Sequence, residues 1–194
     1  MNRKGLELLI ENKLQSKELN TLLVNDYLSE DFKRFIKTYK VGQDWLKGNL
    51  LLIDEKSGDQ IGLTQLKMFE PNNNPEKYHA CVDYIFDHSR LIEETEKYRN
   101  KDEKWNKLGF IQIGILHWSD ILLLGIEKDK KGQIWRFGTG ILDSQCSKLD
   151  NNIFDFISRL QESIDQESLD VYNLSIDNIF KNTSESFWRI RKNK

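Results

Sequence analysis

Proline, cysteine and methionine each occur only twice in 194 residues and histidine three times, and each scarcity closes off a class of function. Cys81 and Cys146 stand far apart without a CxxC pair, so they read as buried free thiols, with a disulfide between them as the alternative. His79, His88 and His117 form no HxxxH motif and no His/Cys cluster of metal-ligand spacing. No apolar run approaches the roughly 20 residues that span a bilayer. Glu7 and Glu11 lie where a secretion signal needs an uncharged segment, so the cytoplasm is the expected compartment. With 29 basic against 31 acidic side chains, the whole molecule has no strong field to draw nucleic acid or anionic lipid. A GxSxG nucleophile elbow is missing, and Gly138-Thr139-Gly140 has neither the lysine nor the following helix of a phosphate loop. His117-Trp118-Ser119-Asp120 reads as a turn between strands rather than as an acid–base group. Neither catalysis nor a cofactor or metal is expected.

What the chain does have is one weakly charged, strand-rich stretch, residues 108–137. Phe110, Ile111, Ile113 and Ile115 lead to a polar break at 117–120, residues 121–126 form an apolar run, and Ile134 to Phe137 return after the turn Asp129-Lys130-Lys131-Gly132. Three consecutive antiparallel strands at the centre of a sheet are expected. Length and a 38% hydrophobic content suit a single domain with a substantial core.

In chain order, Leu6, Leu9, Ile10 and Leu14 recur at helical spacing, and Leu19, Leu22 and Leu23 continue that helix or start another after Ser16. Ser29 caps a helix carrying Phe32, Phe35, Ile36 and Tyr39 on one face and ended by Gly42. Residues 49–53 and 60–66 read as a hairpin around the turn 55–59, and the prolines and asparagines of 71–75 as a loop. Residues 78–86 alternate as in a strand, although Tyr78, Val82 and Ile85 also fit a helix. Residues 91–99 form an exposed helix, followed by a charged loop to Lys107. Asp150 caps a helix striped by Ile153, Phe156, Ile157, Leu160 and Ile164. Leu169, Tyr172, Ile176, Ile179 and Phe180 make a last helix that docks on the domain, and the basic residues 189–192 read as a frayed tail.

The segments LSEDFKRFIKTYKVG, GFIQIGILHWSDILLLGIEKDKKGQIWRF and DNNIFDFISRL resemble, in order and spacing, the SUKH superfamily, also called the SMI/KNR-type domain, over residues 28–160. Leu28, Asp31, Phe32 and Phe35 match that family's first helix, with Ser29 where proline is usual and Lys40-Val41-Gly42 in place of an asparagine-glycine turn. Ile113-Gly114, Ser119-Asp120 and residues 121–124 resemble its isoleucine-glycine, aspartate break and apolar strand, and Gly132-Gln133-Ile134-Trp135 its glycine-x-aromatic approach to the next strand. The resemblance implies an α+β domain with a curved, largely antiparallel sheet flanked by helices and no catalytic role. Bacterial members are mostly immunity proteins that neutralise a toxin of a polymorphic or contact-dependent system, while other members are regulatory scaffolds. On that basis the chain divides into an N-terminal helical segment (1–27), the SUKH-like domain (28–165) and a C-terminal helical extension packed on it (166–194).

The expected partner is a cognate toxin protein, with no direct contact to nucleic acid or membrane; a regulatory or scaffolding role toward another protein is the alternative. Residues 161–185 hold six acidic side chains, Glu162 and Asp165 among them, against Lys181 alone. They form either a solvated helical face or a surface complementary to a basic groove, as of a nuclease. Asp83, Asp87, Glu93 and Glu94 extend that surface if the fold brings them together, and Asp120 lies at the strand break. Trp45 and Trp118 are the aromatic anchors expected to be exposed, because interfaces concentrate energy in a few Trp, Tyr and Arg residues.

Overall fold

The computed structural model of the chain describes residues 5–42, 45–46, 50–54, 60–62, 64–69, 78–116, 120–138, 146–164 and 188–192. A 3-10 turn at Gly5–Leu8 precedes α1 (Lys17–Leu23) and α2 (Glu30–Thr38). Both helices begin at a serine that supplies a partner for an N–H the helix cannot satisfy itself. Ser16 Oγ accepts from Leu19 N at 3.0 Å, and Ser29 Oγ from Phe32 N at 3.4 Å. Then come β1 (Leu50–Asp54), β2 (Gln60–Gly62), β3 (Thr64–Phe69), β4 (Tyr78–Ile85), α3 (His88–Asn100) and α4 (Lys104–Lys107). The chain goes on through β5 (Phe110–Leu116), β6 (Ile121–Gly125), β7 (Ile134–Phe137), β8 (Cys146–Asp150), α5 (Ile153–Ser158), β9 (Leu160–Ile164) and β10 (Trp188–Lys192).

The described strands form two antiparallel sheets. The smaller has the order β10-β1-β2, and the larger the order β8-β7-β6-β5-β4-β3-β9. The larger sheet is curved and flanked by helices, as an α+β fold with a curved antiparallel sheet requires. Its register shifts at 68/69, 82/84, 112/114 and 134/135, irregularities that add twist to a sheet. The stretch expected at its centre is there: β5, β6 and β7 are consecutive neighbours. The alternation read over 78–86 is that of a strand, β4.

One face of the large sheet contributes Val82, Ile85, Ile111, Ile113, Leu116, Leu122, Leu124 and Ile134 to the main core. α3 packs across β5, α1 against α2 and α3, and α2 against α5. Phe32, Phe35, Phe156 and Ile157 complete that layer. Leu8, Leu9, Leu19 and Leu22 are buried in the same cluster, so the N-terminal segment is part of the one core. The opposite face carries a second cluster of Phe110, Ile121, Leu123 and Phe137, with Trp105, Trp135 and Cys146 packed against it. No disulfide joins Cys81 to Cys146. Gly114 shows why glycine stands in β5: a Cβ there would meet Tyr84 O at 2.5 Å. The neighbouring strand passes too close for any side chain.

Several local expectations are overturned by pairings between distant segments. Residues 9–16 are not helical, because their backbone groups are taken elsewhere: Ile10 N donates to Trp45 O, Asn12 N to Thr38 O, and Lys40 N to Ile10 O. α2 ends at an extended Tyr39 that bridges Glu11, and Gly42, at φ 101°, turns the chain three residues later. Residues 60–66 do not form one strand; β2 and β3 belong to different sheets. The exposed helix at 91–99 is α3, with Leu91, Glu94 and Thr95 buried on one face, and the loop after it contains α4. Asn152, not Asp150, caps α5, whose stripe stops at Ser158; Leu160 and Ile164 belong to β9, paired with β3. Residues 188–192 are a strand paired with β1 rather than a frayed tail. The turn at 55–59, the loop at 71–75 and the helix expected over 169–180 lie outside the described residues.

If the N-terminal leucines and the sheet share one core, Leu22→Ala and Leu122→Ala should each cost about 2–5 kcal/mol in a single cooperative urea transition followed by tryptophan fluorescence. A separate transition for the Leu22 variant would show that the two regions unfold independently. Gly114→Ala should cost about 1–3 kcal/mol in the same assay, although it adds only a methyl group.

Candidate functional site

The junction between β4 and α3 builds a recess. The chain leaves the sheet at Ile85, and Asp87 immediately starts α3 by accepting from Arg90 N at 2.9 Å through Oδ1. This is the requirement of a helix N-terminus met by the nearest carboxylate. The cap places Arg90 one turn into the helix, where its guanidinium folds back. Nη1 donates to Glu93 Oε2 at 2.7 Å, Nη2 lies 3.2 Å from Glu94 Oε1, and the group sits 5.5 Å from the Phe86 ring centroid. Tyr84 packs against Phe86 with ring centroids 5.9 Å apart. β5 contributes Gln112 and Ile115, the latter opposite Tyr84 in the register. Gly42 closes the remaining side, its N–H donating to Ile85 O at 2.8 Å.

These residues enclose an open cleft of about 500 Å³, within the range of small-ligand and side-chain sites. Tyr84, Phe86 and Ile115 line it together with the polar side chains of Asp87, Arg90 and Gln112. Gln112 is 8% exposed, and Nε2 donates to Gly114 O at 3.2 Å. Asp87 is exposed at the rim, and the Arg90 side chain is 45% exposed. Residues 83–97 carry five carboxylates, Asp83, Asp87, Glu93, Glu94 and Glu96, against Arg90 and Lys97. Of these, only Asp87 and Arg90 line the cleft.

Of the residues singled out from the sequence, Asp87 lines the cleft, and Glu93 and Glu94 adjoin it through their bonds to Arg90. Asp83 is half-buried near the end of β4, Asp87 is the cap, and Glu93 is 56% exposed on α3. Glu94 departs from the surface role expected of it, because its side chain is 0% exposed. Its Oε1 receives Lys97 Nζ at 2.8 Å as well as Arg90, while Oε2 is buried without a hydrogen-bond partner. Trp45 also departs: it is 0% exposed, since the bridge between Leu46 and Leu9 draws this segment inward. Asp120 is buried beside β6, where Arg136 Nε donates to Oδ2 at 2.6 Å, so its carboxylate ties β6 to β7. Glu162 is half-buried on β9, with β3 between it and β4. Trp118 and Asp165 lie outside the described residues.

The residues that complete the cleft, Gly42, Tyr84, Phe86, Arg90 and Gln112, were not singled out beforehand. One signal was available, the Asp87/Arg90 spacing of a capped helix directly after an aromatic strand. Gln112 could not be picked out, as nothing local marks a glutamine on a two-sided buried strand.

Among the described residues no group of three or more His, Cys, Asp or Glu could hold a metal ion. Burial pushes the Cys146 thiol above its ordinary value against the opposing pull of Lys130, the reverse of what a thiolate nucleophile needs. No helix among the described residues is long and apolar enough to cross a membrane. No protein-family model matches this chain, and no curated protein matches it.

Glu94 and Glu93 provide a direct comparison of burial. Glu94→Ala should destabilise by about 1–3 kcal/mol because it removes two charge-assisted bonds from a water-free position. Glu93→Ala should shift stability by less than about 0.5 kcal/mol, as exposed pairs do. Equal effects in urea melts of the two variants would contradict the burial difference.

Proposed function

We propose that this chain is a cytoplasmic, non-enzymatic immunity protein of SUKH type, which binds a cognate protein toxin and neutralises it by covering the toxin's active site. The observation that carries this reading is the cleft at the β4–α3 junction, where Tyr84, Phe86 and Arg90 stand beside the exposed carboxylates of Asp87 and Glu93. Aromatic and arginine side chains at the centre of a recess are the usual anchors of a protein interface. Carboxylates around them complement the basic groove of a nucleic-acid-cleaving toxin, steer its approach and raise the association rate. The α+β architecture with a curved antiparallel sheet agrees with what the resemblance over residues 28–160 implies. A regulatory domain for another protein would use the same cleft, and the presence or absence of a toxin separates the two.

The test is co-expression with a candidate toxin domain, read as survival of sensitive cells and as a complex in a pull-down. Rescue with a stable complex is expected. An active toxin that is neither bound nor neutralised would remove the immunity reading. In the complex, Glu93→Lys should slow association roughly threefold to tenfold at low salt, with the difference shrinking as salt is added. A change confined to the dissociation rate would place Glu93 inside the contact rather than on the steering rim.

A further inference from the structure

We infer that the β4–α3 cleft receives a single basic side chain, arginine in preference to lysine, projecting from the protein partner. The inference rests on the reading above only in taking that partner to be a protein. Its first support is the state of the cleft's own charges. Arg90 is matched by Glu93 at 2.7 Å and Glu94 at 3.2 Å, so it has little positive charge left to offer. The N-terminus of α3 is occupied by the Asp87 carboxylate, which takes the place an anion would fill. An anionic ligand is thus disfavoured at both positions where it would bind, and the uncompensated charge is negative.

The second support is independent of charge. Gln112 is more than nine-tenths buried and lines the cleft, and its carboxamide makes one hydrogen bond among the described residues, through Nε2 to Gly114 O. That bond turns the amide nitrogen toward the backbone and leaves Oε1 as an acceptor facing the cleft. Water reaches that oxygen in the free protein, and a donor from a partner can take the water's place there. A guanidinium fits the set. Its planar fork can reach the Asp87 carboxylate and Gln112 Oε1 together while its face lies on Tyr84. An ammonium ion has the charge but neither the fork nor the stacking plane. Gly42 keeps the way in open: at φ 101° a larger residue would be strained, and its Cβ would stand in contact with Asp87 Cβ, 3.4 Å away, and narrow the cleft.

The experiment uses the full chain and needs no toxin. Acetylated, amidated Gly-Arg-Gly, Gly-Lys-Gly and Gly-Glu-Gly are titrated into nitrogen-15-labelled protein and followed by two-dimensional NMR. The arginine peptide should shift the Gly42 and Asp87 amides and the Gln112 side-chain amide, more tightly than the lysine peptide, while the glutamate peptide leaves them in place. Asp87→Asn preserves the helix cap, since asparagine caps as well as aspartate, and should weaken the arginine peptide about threefold. The inference fails if the arginine peptide shifts none of these resonances, if the glutamate peptide shifts them equally, or if Asp87→Asn leaves the affinity unchanged. Peptide binding without toxin rescue would keep the cleft and discard the immunity reading; rescue without peptide binding would do the opposite.

Discussion

Burial of β5 and β6 on both faces is the constraint on which the rest of this fold depends. Every residue of Ile121–Gly125 is buried, and along Phe110–Leu116 only Ile115 is partly exposed. A sheet with one wet face would alternate apolar and polar residues; here both faces must be covered. Helices and N-terminal leucines close one side, whereas Trp105, Trp135 and Phe137 close the other beside Phe110 and Leu123. The indole N–H groups of Trp105 and Trp135 are buried without hydrogen-bond partners, which costs on the order of 1–3 kcal/mol each. Both tryptophans are partly buried, so their rings cover the sheet while part of each stays in contact with solvent.

The same demand positions the cleft. α3 has to begin as soon as β4 ends if it is to pack across β5, and Asp87 makes that abrupt start possible by capping it. One carboxylate thereby serves stability and site geometry together. The cap sets where Arg90 emerges, helix periodicity brings Glu93 and Glu94 to it, and Phe86 supports its guanidinium. The walls of the cleft are a helix and two strands of the central sheet, elements that hold side chains more firmly than a loop would.

Charge works in this molecule at short range. A net charge of −2 produces little field at a distance, and at physiological salt anything beyond about 8 Å is screened. Glu93 and Glu94 both reach Arg90 and are close enough to act together despite that screening. Glu94, sealed from water, organises Arg90 and Lys97, and the exposed Asp87 and Glu93 face whatever approaches.

Patterns confined to neighbouring residues were legible in the sequence. The apolar runs and turn of 108–137 are β5, β6 and β7, Ser29 caps α2, and the alternation over 78–86 is β4. Each follows from period-two or period-3.6 burial and from a side chain satisfying an N–H a few residues away. Tertiary structure decided the rest, because the deciding partner lies far along the chain. Residues 9–16 lose their helix to bonds with residues 38–45, Leu160 and Ile164 leave a helical stripe to pair with β3, and Trp45 goes inside because Leu46 meets Leu9. The cleft itself joins residue 42, the end of β4, the start of α3 and the middle of β5. Local periodicity records which face of an element is apolar; only the packed chain decides which distant element covers it and which polar groups are left facing outward.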